Sequence, residues 1–177
     1  MMRRSIRHDR SGAAAVEMAL VMPLLLVILF GSVEVGNYFN NEHRLAKAVR
    51  DGARYAARSS FTDYSGCNGT AADVPTALRD NTKLIVRKGV LDGTQPDLLA
   101  NWASGSTIFT VKMKCSTTAG GTTLGGIYNG NNVGTADYAP WVIVTASVPY
   151  QPLLGAFGFT GTGVFLNATQ QAAVTGI

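Results

Sequence analysis

An apolar run near the N-terminus constrains this chain more than any other feature. From Ala13 to Val35 it reads AAAVEMALVMPLLLVILFGSVEV, with no charge between Met18 and Val33. As a helix those residues rise roughly 35 Å, against a bilayer hydrocarbon core of about 30 Å. The segment is long enough to span a membrane. Arg3, Arg4, Arg7 and Arg10 precede it, offset by Asp9 alone, and the next basic side chain after it apart from His43 is Arg44. By the positive-inside rule the N-terminus stays in the cytoplasm and the bulk of the chain is exported.

A secretory signal peptide shares the basic start and the apolar run, and it is the first rival reading. It would need a small-residue cleavage site after the run. Instead Gly31-Ser32-Val33-Glu34-Val35-Gly36 leads without a proline break into a further helix-forming segment. That continuity favours a retained anchor.

Glu17 lies inside the apolar run, where an ionised side chain costs on the order of 3 kcal/mol at a helix centre and less near an end. One reading makes it an interfacial residue one turn into the span. The other gives it a partner. It is the fifth residue after Gly12, so a cut at Gly12/Ala13 would leave a new amino group about one turn from the carboxylate, on its own helix or on a neighbour's. Paired, the two charges are far cheaper to bury than either alone.

A basic leader, Gly12, four small or apolar residues, Glu17 and a long apolar helix together resemble the signature of type IV prepilin-like proteins. The likeness narrows with RSGAAAVEMALVMPLLLVILFGSVEVG, residues 10 to 36, and LAKAVRDGARYAA, residues 45 to 57. These blocks resemble the TadE-like module of minor pseudopilins in the tight-adherence (Tad/Flp) pilus system, covering residues 10–58. The resemblance implies a leader at 1–12 removed by a prepilin peptidase after Gly12, and Glu17 as the carboxylate that registers subunits in a filament. Implied partners are that peptidase, other minor pseudopilins, the Flp major pilin, the assembly platform in the inner membrane and membrane lipid. The size agrees with a minor pseudopilin and exceeds the short major pilin. The implied place is the cytoplasmic membrane, as a single-pass protein with its C-terminal domain outside.

The residues also predict how the helix continues beyond the 13–35 span. On a 100° wheel Arg44, Lys47, Arg50, Asp51, Arg54 and Arg58 share one side, with Leu45, Val49, Ala53 and Ala56 opposite. Residues 36–58 then extend the span as an amphipathic rod of roughly 69 Å in all, counted from Ala13. Pro23 removes one backbone hydrogen bond within it and is expected to kink or loosen it. The basic stripe reads as a solvated face, as a contact for headgroups or acidic neighbouring subunits, or, least well, as a nucleic-acid footprint, because no aromatics interleave it.

The remaining residues, 59–177, predict an extracytoplasmic head. Phe61 to Gly69 reads as a loop. Val74, Leu78, Leu84, Ile85 and Val90 keep helical spacing, predicting a second helix from about Val74 to Leu91, N-capped by Asp73, with Pro75 in its first turn and Gly89 or Gly93 near its end. A short helical turn is expected around Pro96 to Ala103. The period then changes to two: Phe109, Val111, Met113 and Cys115 alternate with Thr110, Lys112 and Lys114. Residues 120 to 136 hold six glycines and three asparagines, a long hairpin connection. Trp141 to Tyr150 and Val164 to Thr175 supply two more strands. The fold class is α+β, a long N-terminal helix packed on a small C-terminal antiparallel sheet of about three or four strands, with a second helix.

Cys67 and Cys115 both follow the span. In an oxidising compartment a bond between them would close a loop worth about 4 kcal/mol in the chain-entropy model. Free buried thiols are the alternative, and a metal site would need further ligands. Catalysis has little to work with: the two histidines are His8, in the leader, and His43, just past the span, and Asp92 and Asp97 read as solvated loop acids. No enzyme activity, cofactor or nucleic-acid partner is expected. Leu153, Leu154, Phe157 and Phe159 sit between two strands, either plugging the bottom of the sheet or forming an apolar contact for another subunit or the membrane. The charge excess, 15 basic against 11 acidic, is mostly leader and stripe, since beyond Arg58 the count is six against six. An evenly charged head withdraws the polyanion reading that the pI near 9.3 invites.

Overall fold

A computed structural model describes residues 11–67, 69–117, 126–128, 132–133 and 136–176. Its backbone element is α1, Ser11–Ala57, one helix of 47 residues that runs through Pro23. The two halves of α1 hold their shape for different reasons. Up to Val33 its apolar side chains are largely exposed, with an apolar stretch of mean hydropathy 2.5 that could cross a membrane. From Leu45 on, the helix is held by packing: Leu45, Ala48, Val49, Ala53, Ala56 and Ala57 are buried, at the i, i+3, i+4 spacing of a single stripe.

That stripe lies on an antiparallel sheet. Strands β1 (Ala72–Asp73), β2 (Ile108–Thr117), β4 (Ala136–Pro149) and β5 (Phe165–Ala173) neighbour one another in the order β1-β2-β4-β5, while the two-residue β3 (Asn132–Val133) pairs with the start of β4. Register follows the alternation of side chains. Val111 faces Val144, and Met113 faces Val142 across β2 and β4, all four buried, while Lys112 opposite Ile143 belongs to the other, outer face. Val142, Val144, Ala146 and Val148 on β4 and Leu166 on β5 are 2% exposed or less, so β4 is the centre of the core under α1. Each such valine contributes about 1.5–3 kcal/mol by leaving water. The α+β architecture is therefore a long helix, a short helix and a four-stranded antiparallel layer, as the periodicities predict.

The second helix, α2, is Thr76–Lys88, shorter than the expected Val74–Leu91. Asp73 does not cap it. It pairs instead with Lys112 in the β1–β2 ladder, with an ion pair at 2.7 Å, and Pro75 holds the cap position without a side-chain bond. At the other end Gly89 adopts φ 79°, the left-handed conformation that favours glycine, and its N–H donates to the Ile85 carbonyl. Val90 and Leu91 thus fall outside the helix and are exposed. The two helices meet where α1 offers Gly52: a Cβ there would stand 2.3 Å from Val86 Cγ2. Only a bare backbone lets α2 approach this closely.

Other local expectations shift too. The 61–69 loop holds a 3-10 turn, Phe61–Tyr64, whose Tyr64 is buried and donates its hydroxyl to the Ala56 carbonyl at 2.6 Å. Thr175 N–H binds the Ala57 carbonyl at 2.8 Å, so two of the carbonyls left over at the end of α1 are satisfied by the head. Where a short helical turn is expected, around Pro96 to Ala103, the chain turns over its last residues, Ser104 N–H donating to the Asn101 carbonyl at 3.0 Å, with Leu99 and Trp102 buried against the core. Part of the glycine-rich connection expected at 120–136 lies outside the described residues; Gly126–Tyr128 within it forms a 3-10 turn.

Candidate functional site

The described structure concentrates its unusual chemistry where the apolar half of α1 gives way to the packed half. Glu34 occupies that junction and is 8% exposed, a carboxylate buried between helix and head. It is held by the connection between β4 and β5. Tyr150 donates its hydroxyl to Glu34 Oε1 at 2.5 Å, Leu153 N–H donates to the same oxygen at 3.1 Å, and Leu154 N–H donates to Oε2 at 2.9 Å. Asn37, one turn further along α1, donates its side-chain amide to the Tyr150 oxygen at 2.8 Å, and Tyr38 donates to the Phe165 carbonyl at 3.3 Å. A buried carboxylate needs such a donor set to offset its desolvation.

Burial, and after it the hydrogen bond to Glu34, pushes the Tyr150 phenol up to about 12. The Tyr38 phenol is raised as well, by burial first and then by the charge and hydrogen bond of Glu42. Both remain neutral donors at ordinary pH. No local pattern announces the Glu34 latch, because its partners lie 116 to 120 residues away. Its one local signal is a lone carboxylate in the turn that ends an apolar run.

Beside the latch the β4–β5 connection carries its own apolar side chains. Leu153 is 64% exposed and Phe157 68% exposed, while Leu154 and Phe159 are half-buried. Phe157 stacks on Phe30 of α1, ring centroids 5.5 Å apart and planes 21° apart. Phe157 thus touches the apolar stretch of α1, and Leu153 and Leu154 are held beside it through their N–H bonds to Glu34.

Glu17 lies on the exposed apolar half of α1, with Gly12 and Ala13 in its first turn; residues 1–10, with the four leader arginines, lie outside the described residues. Ala13 and Glu17 are one turn apart on the same helix face. At Pro23 the ring leaves the Ala19 carbonyl without its usual helical donor. Arg44, Lys47, Arg50, Arg54 and Arg58 are exposed along the packed half, with Asp51 half-buried and 3.9 Å from Arg54. Arg44, Lys47 and Asp51 line a cleft of about 320 Å³ shared with Gly89 and Leu98.

Cys67 and Cys115 form a disulfide, Cα atoms 5.7 Å apart, joining the segment after α1 to β2 near its C-terminal end. Asp92 and Asp97, expected together as solvated acids, part company. Asp92 closes a turn on Thr94, whereas Asp97 receives a two-pronged contact from Arg87, Nε at 2.6 Å and Nη2 at 2.7 Å, with Lys88 at 3.5 Å. The reason is the turn of chain after Gly89, which folds back so that Leu98 N–H reaches the Arg87 carbonyl. Among the described residues no three metal-ligating side chains cluster.

These features define a class: an apolar rod long enough to cross a membrane, carrying a small disulfide-bonded α+β head latched to its far half. Residues 12–54 match the family model described as TadE-like protein. The match covers 43 of the 177 residues, all within α1. No curated protein and no solved structure matches the chain.

Proposed function

We propose that the chain is a minor pseudopilin that takes part in assembling or initiating a Tad/Flp-type pilus. The observation that carries this reading is the family match itself, which begins at Gly12 and runs along the helix that such proteins use for anchoring and packing. In this role a prepilin peptidase cuts between Gly12 and Ala13, α1 anchors the product in the inner membrane, and the head projects outside. The helix then moves from lipid into a bundle of pilin helices, other minor pseudopilins and the major pilin among them. Glu17 there meets the terminal amine of a neighbour, which sets the stagger between subunits. Pro23 loosens the rod where it must bend into the bundle. The basic stripe from Arg44 to Arg58 meets acidic faces of neighbouring subunits, with lipid headgroups in reach only of its Arg44 end, and the chain acts without catalysis or cofactor.

Mass spectrometry of the mature chain tests the processing step. A start at Ala13 supports the reading, and a start after residue 35, or an uncut chain, points to a signal-anchored or secreted binding module. Glu17→Ala should leave insertion intact and impair piliation; a fully piliated mutant would remove the registry role.

A further inference from the structure

We propose that the β4–β5 connection, residues 152–159, is a foot that seats in the outer interface of the same bilayer that α1 spans, with Leu153 and Phe157 reaching into lipid. The inference rests on the reading of α1 as a membrane span and adds a second point of contact to it. The helix sets the depth. From Ala13 to Val33 α1 rises about 30 Å, which matches the hydrocarbon core and leaves no spacer between span and head. Phe30 lies within that stretch, and Phe157 is stacked on it. The foot therefore stands at the level where the hydrocarbon ends.

Its composition fits that position. No Asp, Glu, Lys, Arg or His occurs in the chain after Asp137. Leu153 and Phe157 are among the most exposed large apolar side chains of the head, and Phe157 adjoins the apolar stretch of α1 through Phe30. Loop backbone approaching lipid must have its polar groups occupied. Here Leu153 and Leu154 give their N–H groups to Glu34, Phe157 N–H goes to the Leu154 carbonyl, and Gly158 N–H to the Gly155 carbonyl. The Glu34 latch thus does two things: it ties the head to the helix, and it removes two donors from the loop that faces the membrane. Two anchoring points in place of one also fix how the head leans on the bilayer, so that the Arg44–Arg58 stripe keeps one orientation relative to the surface.

Depth-dependent quenching tests the foot. The full chain, with its two native cysteines occupied in the disulfide, is given one new cysteine, Phe157→Cys or Leu153→Cys, and labelled with an environment-sensitive fluorophore. Leu153→Cys keeps the Phe30–Phe157 stack and guards against a local effect of losing it. Labelled protein is reconstituted into phosphatidylcholine–phosphatidylglycerol vesicles carrying a nitroxide on the acyl chain, near the headgroup or at mid-chain. Leu26→Cys reports on the span and Arg54→Cys on the far end of the head. The expected result is a blue shift and a loss of emission at both foot positions, stronger with the shallow nitroxide, because a seated apolar side chain lies about 5–10 Å into the headgroup boundary. Leu26 should respond most to the mid-chain nitroxide and Arg54 to neither. Foot labels that behave like Arg54 while Leu26 is quenched overturn the foot and leave the span standing, and would assign the apolar loop to a protein neighbour. An unquenched Leu26 removes the span and the foot with it.

Discussion

The Glu34 carboxylate and the Tyr150 hydroxyl meet at 2.5 Å across 116 residues of sequence, at the point where α1 leaves its apolar stretch. This contact joins the rod to the end of the central strand. The latch therefore extends the contact that the buried Leu45–Ala57 stripe makes with the head down to the edge of the apolar stretch.

Removing the latch should loosen that union. Glu34→Ala leaves the Tyr150 hydroxyl and two backbone N–H groups without their buried acceptor, a loss of about 3 kcal/mol. Tyr150→Phe removes one donor and should lose about 1–2 kcal/mol. In a double-mutant cycle followed by urea unfolding in detergent, the pair should be coupled rather than additive. Additive losses would mean that the two side chains do not act on one another.

Much of this fold is legible from periodicity. The 45/49/53/56 stripe and the alternation through Val111, Met113 and Cys115 each report a face that must be buried, and the structure buries both. What escapes is contact set by distant chain. Asp73 looks like a helix cap because a short polar residue precedes an apolar helical pattern, yet pairing with Lys112 in a two-residue strand wins. Asp97 looks solvated because its partners, Arg87 and Lys88, sit across a turn that no local pattern announces. Glu34 is the extreme case, a charge whose acceptable burial depends wholly on donors from the other end of the chain.

The disulfide should carry a measurable share of the head's stability. Cys67 and Cys115 are 48 residues apart and close a loop that restricts the unfolded chain, worth about 4 kcal/mol in the entropy model. Reduction, or Cys115→Ser, should lower the urea midpoint by a corresponding amount without changing the helical circular dichroism of α1 in detergent. An unchanged midpoint would show that the unfolded chain gains no freedom from losing the bond.

Gly52 should tolerate almost no side chain. Its missing Cβ is the space into which Val86 Cγ2 packs, and the fully buried Thr82 stands against the same spot, its Cγ2 3.5 Å from a Cβ placed there. Gly52→Val should destabilise the head by about 1–3 kcal/mol through overpacking. The added bulk can be matched: Val86→Ala opens the opposing side, so Gly52→Val with Val86→Ala should recover part of the loss in thermal unfolding. No recovery would place the strain elsewhere than at this crossing.

Asp97 should give the head an acid-sensitive edge. The two-pronged hydrogen bond from Arg87 holds its carboxyl below the usual aspartate value of 3.8, against the opposing effect of burial and with help from the Arg87 and Lys88 charges. A carboxyl whose value is lowered by folding binds fewer protons folded than unfolded, so its stabilisation is complete above 3.8 and disappears as pH falls through the folded value. The contact ties down the turn that carries Leu99 and Trp102 into the core, so its loss should be felt there first. Asp97→Asn is expected to cost about 1 kcal/mol at neutral pH, because the pair is partly solvated, and to flatten the fall in stability below the ordinary carboxylate range. Tryptophan fluorescence during acid titration reads the effect at Trp102, which packs edge-on to Phe109 with ring centroids 6.4 Å apart. If wild type and Asp97→Asn lose stability in parallel as the pH drops, the acid sensitivity belongs to other carboxylates and not to this pair.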